Sequence, residues 1–298
     1  MALDVVLVGM ALRSNHVSGI DTSPVTTASA TVSPVRPSPT TPTPSLTPSA
    51  TPTLPAALTP LQVVLVAIDS QRAWRVSVGS CGAAGAKVTT TKDGGKTWAD
   101  AKAPLRMIVR VRPTDSQTAF IIGSDSSCAP QLKSTSDGGG TWASDSTVGN
   151  AWFRDPKDPK VLRAPGPSTS RPCGQHAVLD MAVLSVSSAR VLCEDGLVRS
   201  TTDTSASWTD SGKVTGAVAL AVLPANPTQT YVASLEVPGC AGVQVLRVDQ
   251  SVGPSCIKTA LPKSGGQIAL SLVKGGGWLA VGDKTMRSTD NLITWSLS

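Results

Sequence analysis

The 298-residue chain is poor in aromatic residues, with two Phe and one Tyr against seven Trp. Two residues are Glu (Glu194 and Glu236), two are His (His16 and His176), and charged residues total 15%. Each scarcity excludes something. Two histidines and no Cys-x-x-Cys pair leave a zinc site with almost no ligands, and no cofactor is expected. The net charge of +6 is carried by scattered Lys and Arg, not by clusters interleaved with aromatics, so nucleic acid is excluded as a partner. Ala-rich stretches show no 3.6-residue period over ten or more positions and are broken by Gly or Pro, which excludes long helices. The apolar run LDVVLVGMAL at 3–12 would rise about 15 Å as a helix, half of a hydrocarbon core. No basic segment precedes it, as a signal peptide would require.

What is abundant is Ser, Thr, Pro, Gly and Val. From Thr22 to Thr53, 24 of 32 residues are Ser, Thr or Pro. Repeated proline fixes φ and removes backbone donors, and such a segment cannot bury enough apolar surface to fold. The chain therefore divides into an apolar leader (1–20), a disordered Pro/Thr/Ser-rich linker (21–61) and one large all-β domain (62–298). A leader placed directly before a stalk reads as the outer end of a membrane anchor or signal whose start lies upstream. Six cysteines outside any metal-binding spacing point to disulfides and an oxidising compartment, hence to an extracellular or cell-envelope location. Sequence leaves 15 connectivities open. The positions within the repeats favour Cys81–Cys128, Cys173–Cys193 and Cys240–Cys256.

Internal repetition is the strongest signal. Four segments place Ser or Thr, then Asp two residues on, then Ser or Thr four further, then Trp. They are Thr91–Trp98 (TKDGGKTW), Thr135–Trp142 (TSDGGGTW), Thr201–Trp208 (TTDTSASW) and Ser288–Trp295 (STDNLITW). A fifth remnant runs from Arg247 to Ser251. Asp and Ser/Thr side chains fasten tight turns by bonding nearby amides, Gly supplies positive φ, and Trp packs beside the hairpin. Upstream of each lies an apolar strand, a polar turn and a second apolar strand, as in VVLVAIDSQRAWRVSVG (63–79) and MIVRVRPTDSQTAFIIG (107–123). Residues 150–166 show the two-strand rhythm without the motif.

These segments resemble the Asp-box, or bacterial neuraminidase repeat, S-x-D-x-G-x-T-W. The resemblance covers the repeat domain and implies a β-propeller of the group that includes sialidases, sortilin-type receptors and photosystem II assembly factor-type propellers. Six blades are expected if 150–166 counts as a truncated one, five if it is an insertion. Each box would join the third and fourth strands of a blade. Asp93, Trp98, Asp137, Trp142, Asp203, Trp208, Asp290 and Trp295 are then structural, and the two boxes lacking the central Gly (Ser205, Leu292) should have distorted turns.

Four aspartates at equivalent places around a ring cannot serve one active site. A sialidase would also need an arginine triad, a Tyr nucleophile with a Glu partner and an Asp acid/base. Tyr231, the one tyrosine, lies five residues from Glu236, on the opposite face of a strand. No catalytic residue is assigned. Arg110 and Arg112 share a strand face, and Arg154 holds a comparable place in the next unit; as first-strand residues they would line the central channel. The expectation is a monomeric, non-catalytic binding or scaffold module for a glycan or protein ligand. The competing reading is an exo-acting glycoside hydrolase on the same scaffold.

Overall fold

The computed structural model describes residues 59–298 apart from 146, 236, 251–252 and 254–255. The leader, the linker up to residue 58 and Glu236 lie outside the described residues. Six antiparallel sheets follow one another along the chain as the blades of a propeller. Blade 1 holds β1 (Val63–Ala67), β2 (Ala73–Ser77), β3 (Lys87–Thr91) and β4 (Ala99–Asp100). Blade 2 holds β5 (Met107–Pro113), β6 (Ala119–Ser124), β7 (Pro130–Thr135) and β8 (Ala143–Asp145). Blade 3 has three two-residue strands, β9 (Phe153–Arg154), β10 (Leu162–Arg163) and β11 (Thr169–Ser170). Blade 4 is β12 (Val178–Val183), β13 (Ala189–Cys193), β14 (Leu197–Thr201) and β15 (Thr209–Lys213). Blade 5 is β16 (Ala217–Leu223), β17 (Asn226–Ser234), β18 (Val243–Arg247) and β19 (Cys256–Ile257). Blade 6 is β20 (Ile268–Val273), β21 (Gly276–Val281), β22 (Lys284–Ser288) and β23 (Ser296–Leu297). Every blade is built from one continuous stretch of chain, so no strand is exchanged to close the ring.

Strand alternation sends one set of side chains toward each neighbouring blade, and the core is therefore six seams. Trp74, Val76 and Val88 meet Ile108, Val111 and Ile121 between blades 1 and 2. Val63, Leu65 and Ala73 meet Ala269, Ala280 and Trp278 between blades 1 and 6, where the ring closes. Tryptophans dominate three seams. Trp98 packs edge-on against Trp278, Trp142 against Trp74, and Trp208 against Trp152, each with ring centroids 6.4 Å apart. In each pair the Trp that ends a repeat motif packs on a Trp of the preceding blade. The closing seam adds Trp278 Nε1–H donating to Asp69 O at 2.8 Å and Ala67 N–H donating to Ser271 Oγ at 3.0 Å.

The four repeated turns share one hydrogen-bond set. In the first, Thr91 Oγ1 donates to Asp93 Oδ1 (2.8 Å), Gly95 N–H to Thr91 Oγ1 (2.9 Å), Thr97 N–H to Asp93 Oδ1 (3.0 Å) and Thr97 Oγ1 to Asp93 Oδ2 (2.6 Å). Asp137, Asp203 and Asp290 are held in the same way by Thr141, Ser207 and Thr294. The turns that lack glycine are not distorted, contrary to the sequence-based expectation. Ser205 (φ 69°) and Leu292 (φ 71°) adopt the left-handed backbone that Gly95 and Gly139 (both φ 89°) adopt, because the Asp and hydroxyl bonds fix the loop whatever side chain stands there. In the fifth remnant, whose Ser251 lies outside the described residues, Arg247 pairs with Asp249 at 2.6 Å.

The repeated turns lie at one end of the ring together with the first-to-second-strand hairpins. Gly94 N–H donates to Gln71 O, Gly138 N–H to Gln117 O, Thr204 N–H to Ser187 O and Asn291 N–H to Gly275 O, at 2.8–2.9 Å. The opposite end carries the three disulfides, Cys81–Cys128, Cys173–Cys193 and Cys240–Cys256. The first of these ties blade 1 to blade 2. The ends are called here the turn face and the stapled face.

Blade 3 corrects the sequence reading of 150–166 as a first-and-second strand pair. Trp152 Nε1–H reaches Ser185 O and Val186 O at the turn face, while Arg154 reaches Leu179 O toward the stapled face. So β9 descends, as the second strand of every other blade does. Gly166 N–H donates to Gly149 O at 2.7 Å, the counterpart of the Gly94–Gln71 bond. β9, β10 and β11 are thus second, third and fourth strands, and the inner strand is the one this blade lacks among the described residues. The sequence rhythm puts Cys173 after a second strand, as it does Cys81, Cys128 and Cys240; in the fold it follows a fourth strand, β11.

Candidate functional site

The inner strands β1, β5, β12, β16 and β20, together with β9, surround a channel of about 580 Å³. Its lower end is closed at the stapled face. Leu61, just before β1, crosses to blade 4 and donates its N–H to Leu179 O (3.2 Å), and Gln62 N–H donates to Gly266 O (2.6 Å). Arg154 completes this floor by donating to Leu179 O at 2.9 Å and to Val178 O and Leu61 O at 3.4 Å. Burial pushes its guanidinium down to about 10, so it stays charged at neutral pH. Arg154 lines the channel, but from a second-type strand, and its donors are spent on carbonyls of the protein itself.

Arg110 and Arg112 stand nearer the open end, on the turn-face half of β5. Pairing of β5 with β6 shifts register between Ile108 and Arg110, a β-bulge. Before the shift Ile108 faces blade 1; after it, Arg112 lies opposite Phe120 and Arg110 opposite Ile122, on the side facing blade 3. Without the extra residue both arginines would point into the seam packed by Trp74 and Val111. Arg110 is 8% exposed, donates to Trp152 O and lies 5.4 Å from the centroid of Phe120. Burial first, and then the like charge of Arg112, push its guanidinium down to about 9. Arg112 is exposed. Neither arginine has a carboxylate partner among the described residues. Arg106, three residues before Val109, is directed elsewhere, to Gly82 O at the stapled face.

Among the described residues Asp180 is the one acidic residue in the channel lining. Its oxygens accept Leu220 N–H and Met181 N–H, both at 2.7 Å, and burial raises its carboxyl to about 6. Glu194 accepts Ala177 N–H away from the channel, at the start of β12. A two-carboxylate hydrolysis needs an acid and a base or nucleophile on either side of a scissile bond. The channel lining offers one carboxyl, already bound on both oxygens. Tyr231 takes the second-strand place in β17 that Trp74 takes in β2, and packs with the blade 5–blade 6 core.

The missing inner strand of blade 3 opens the channel sideways. A notch of about 280 Å³ runs from the mouth into the seam between blades 2 and 3, and Arg110, Arg112 and Val183 line both spaces. Its apolar wall is Phe120, Leu132, Trp152 and Val183, and Val186 (73% exposed) tops the rim on the β12–β13 hairpin. Phe120, Trp152 and Val186 were not singled out from the sequence. The available signal was positional: Phe120 holds the register place of Trp74 and Trp278, and the 164–168 hairpin ends without a tryptophan.

No protein-family model matches this chain, and no curated protein does. Solved structures do. YCF48 bound to a D1 peptide is 15% identical, covering 82% of each chain with a TM-score of 0.40. The Niastella koreensis GH74 enzyme is 14% identical over 78% of this chain, which spans 46% of that longer one, at 0.42. The Aleuria aurantia lectin in complex with Fucalpha1-6GlcNAc is 10% identical, covering 80% and 94%, at 0.49. At these identities the likeness concerns fold alone. The chemistry at the mouth has to be read from its own residues: two guanidiniums, one of them desolvated, beside an apolar recess. Such a set can attract and hold an anion.

Proposed function

We propose that residues 62–298 are an Asp-box propeller serving as a non-catalytic, extracellular or cell-envelope binding module for a glycan or protein ligand. The ligand binds at the channel mouth on the turn face, with Arg110 and Arg112 as its anion contacts. The observation that carries this reading is the pair of guanidiniums facing one mouth, neither of them ion-paired to a carboxylate among the described residues. Placing a buried charge without a counter-ion is costly, and an anionic ligand group offsets that cost on binding. Three disulfides support folding in an oxidising compartment. Among the described residues no helix is long and apolar enough to cross a membrane. A single chain closes the ring, consistent with a monomer. A glycoside hydrolase on this scaffold is the less favoured reading, because Asp180 has no acidic mate in the channel lining among the described residues.

The test is capture of the full chain on arrays of acidic and neutral glycans and peptides, comparing wild type with Arg112→Ala. Retention of anionic ligands that falls about tenfold in the variant supports the reading. Capture indifferent to Arg112, or turnover of an aryl glycoside lost in Asp180→Asn, overturns it.

A further inference from the structure

The seams of the ring follow one rule with an informative gap. In three seams a motif tryptophan packs edge-on against a tryptophan on the preceding blade, and in a fourth Trp295 joins the cluster that contains Tyr231. The seat on the preceding blade is the same strand position each time it lies on a full blade. Trp74 pairs with Val66 in β1, Tyr231 with Ala221 in β16 and Trp278 with Ser271 in β20. Phe120 holds that position in blade 2, paired with Arg112. Blade 3 supplies no tryptophan to cover it: its third-to-fourth hairpin, 164–168, reads APGPS. No aromatic ring lies in edge contact with Phe120 among the described residues, and the notch occupies that place.

Loss of the tryptophan does not by itself leave a recess. Blade 5 also lacks one, yet the seat it would cover on blade 4 is held by Arg190, paired with Ala182, whose guanidinium donates to Thr228 O and Thr230 Oγ1 of blade 5. The blade 2–blade 3 seam stays open because blade 3 lacks its inner strand as well. The recess is therefore shaped, by the repeat itself, for a flat ring packed edge-on against Phe120. Beside it stand Arg110, nine-tenths buried with Trp152 O as its one protein acceptor, and Arg112, which has none among the described residues. Thr114, Thr118, Ser134 and Asn150 add polar atoms to the lining. Asp145, its acidic member, is itself engaged in an interaction.

We propose that this notch is a binding site for an aryl carboxylate: one aromatic ring takes the vacant tryptophan seat on Phe120 while an adjoining carboxylate meets Arg110 and Arg112. The proposal rests on the reading of the two arginines as ligand-facing and adds the ring subsite, which that reading does not require. A volume of about 280 Å³ admits a single mono- or bicyclic ring and little more, which sets the ligand group apart from an extended sugar chain.

Calorimetric titration of the full chain with indole-3-acetate, indole-3-acetamide and acetate tests it. The first carries ring and charge, the second the ring alone, the third the charge alone. Indole-3-acetate should bind at least about tenfold more tightly than either control. Phe120→Leu, which keeps bulk without a flat ring, should weaken it, and Phe120→Trp should restore it. Arg112→Gln should narrow the difference in affinity between the acid and the amide, Arg110 keeping the remainder. Circular dichroism of each variant confirms the fold. Equal affinity of acid and amide for the wild type, no effect of Phe120→Leu, or no binding of any probe at millimolar concentration overturns the ring-and-carboxylate site. If array capture still depends on Arg112 when the probes fail, the binding-module reading survives alone; if both fail, both fall.

Discussion

The ring is closed without an exchanged strand, so its stability should concentrate in the side chains of the blade 6–blade 1 seam. Trp278 is the sharpest probe. It is fully buried, packs edge-on against Trp98, lies under Arg287 (5.4 Å) and donates to Asp69 O across the seam. Truncation of a buried Trp to Ala costs about 3–5 kcal/mol through lost transfer energy and the cavity left behind. Loss of the indole hydrogen bond adds about 1 kcal/mol. Allowing for overlap between these, Trp278→Ala should cost about 4–5 kcal/mol, a third or more of a typical domain's stability. Trp295 is the internal control. It is partly exposed, its Nε1 has no acceptor, and Trp295→Ala should cost about half as much. Trp278→Phe keeps a ring but loses the bond to Asp69, and should cost about 2 kcal/mol. Guanidinium denaturation with the disulfides intact, followed by far-ultraviolet circular dichroism, measures all three. Equal losses for Trp278→Ala and Trp295→Ala, or a loss below about 1 kcal/mol for the former, would show that this seam does not hold the ring shut.

Ser205 pays twice for replacing glycine, with a left-handed backbone and a buried hydroxyl lacking a partner, so Ser205→Gly should raise the melting temperature, by an amount worth about 1 kcal/mol. A lower melting point would mean that the serine is held by something other than the turn. Hydrogen bonds from the turn hydroxyls and amides hold Asp93, Asp203 and Asp290 down to about 2, and Asp137 lower still. For these depressed groups the stabilisation is complete above the ordinary carboxyl range, near pH 4, and drains away as pH falls toward 2. Melting temperature against pH should show that loss, with a shallower slope for Asp137→Asn. Asp180 works with the opposite sign: its raised carboxyl favours the fold below about pH 4, and that contribution fades as pH rises through about 6. The decline between pH 4 and 6 should be absent from Asp180→Asn.

Legibility followed the range of the interactions. The repeated turns could be read because every bond in them spans four residues or fewer: Thr91, Asp93, Gly95 and Thr97 carry their partners in the local sequence. For the same reason the substituted turns were misjudged. Treating Ser205 and Leu292 as disruptive gave φ preference priority over the side-chain bonds, which in the folded turn prevail. Strand pairs in five blades were legible from apolar segments spaced about a hairpin apart. In blade 3 each strand is two residues long, and local pattern says nothing about which way so short a strand runs.

By itself the sequence determined an all-β ring of repeated hairpins and the residues that fasten each turn. Those properties are written in short-range spacing and composition. Only the tertiary structure decided where the charges go. A single-residue bulge in β5 turned Arg110 and Arg112 toward blade 3, the floor carbonyls consumed Arg154, and the absent inner strand left Phe120 uncovered. The bulge belongs to one hairpin, but what the arginines then meet depends on contacts between segments 24 to 93 residues apart, which no local pattern encodes.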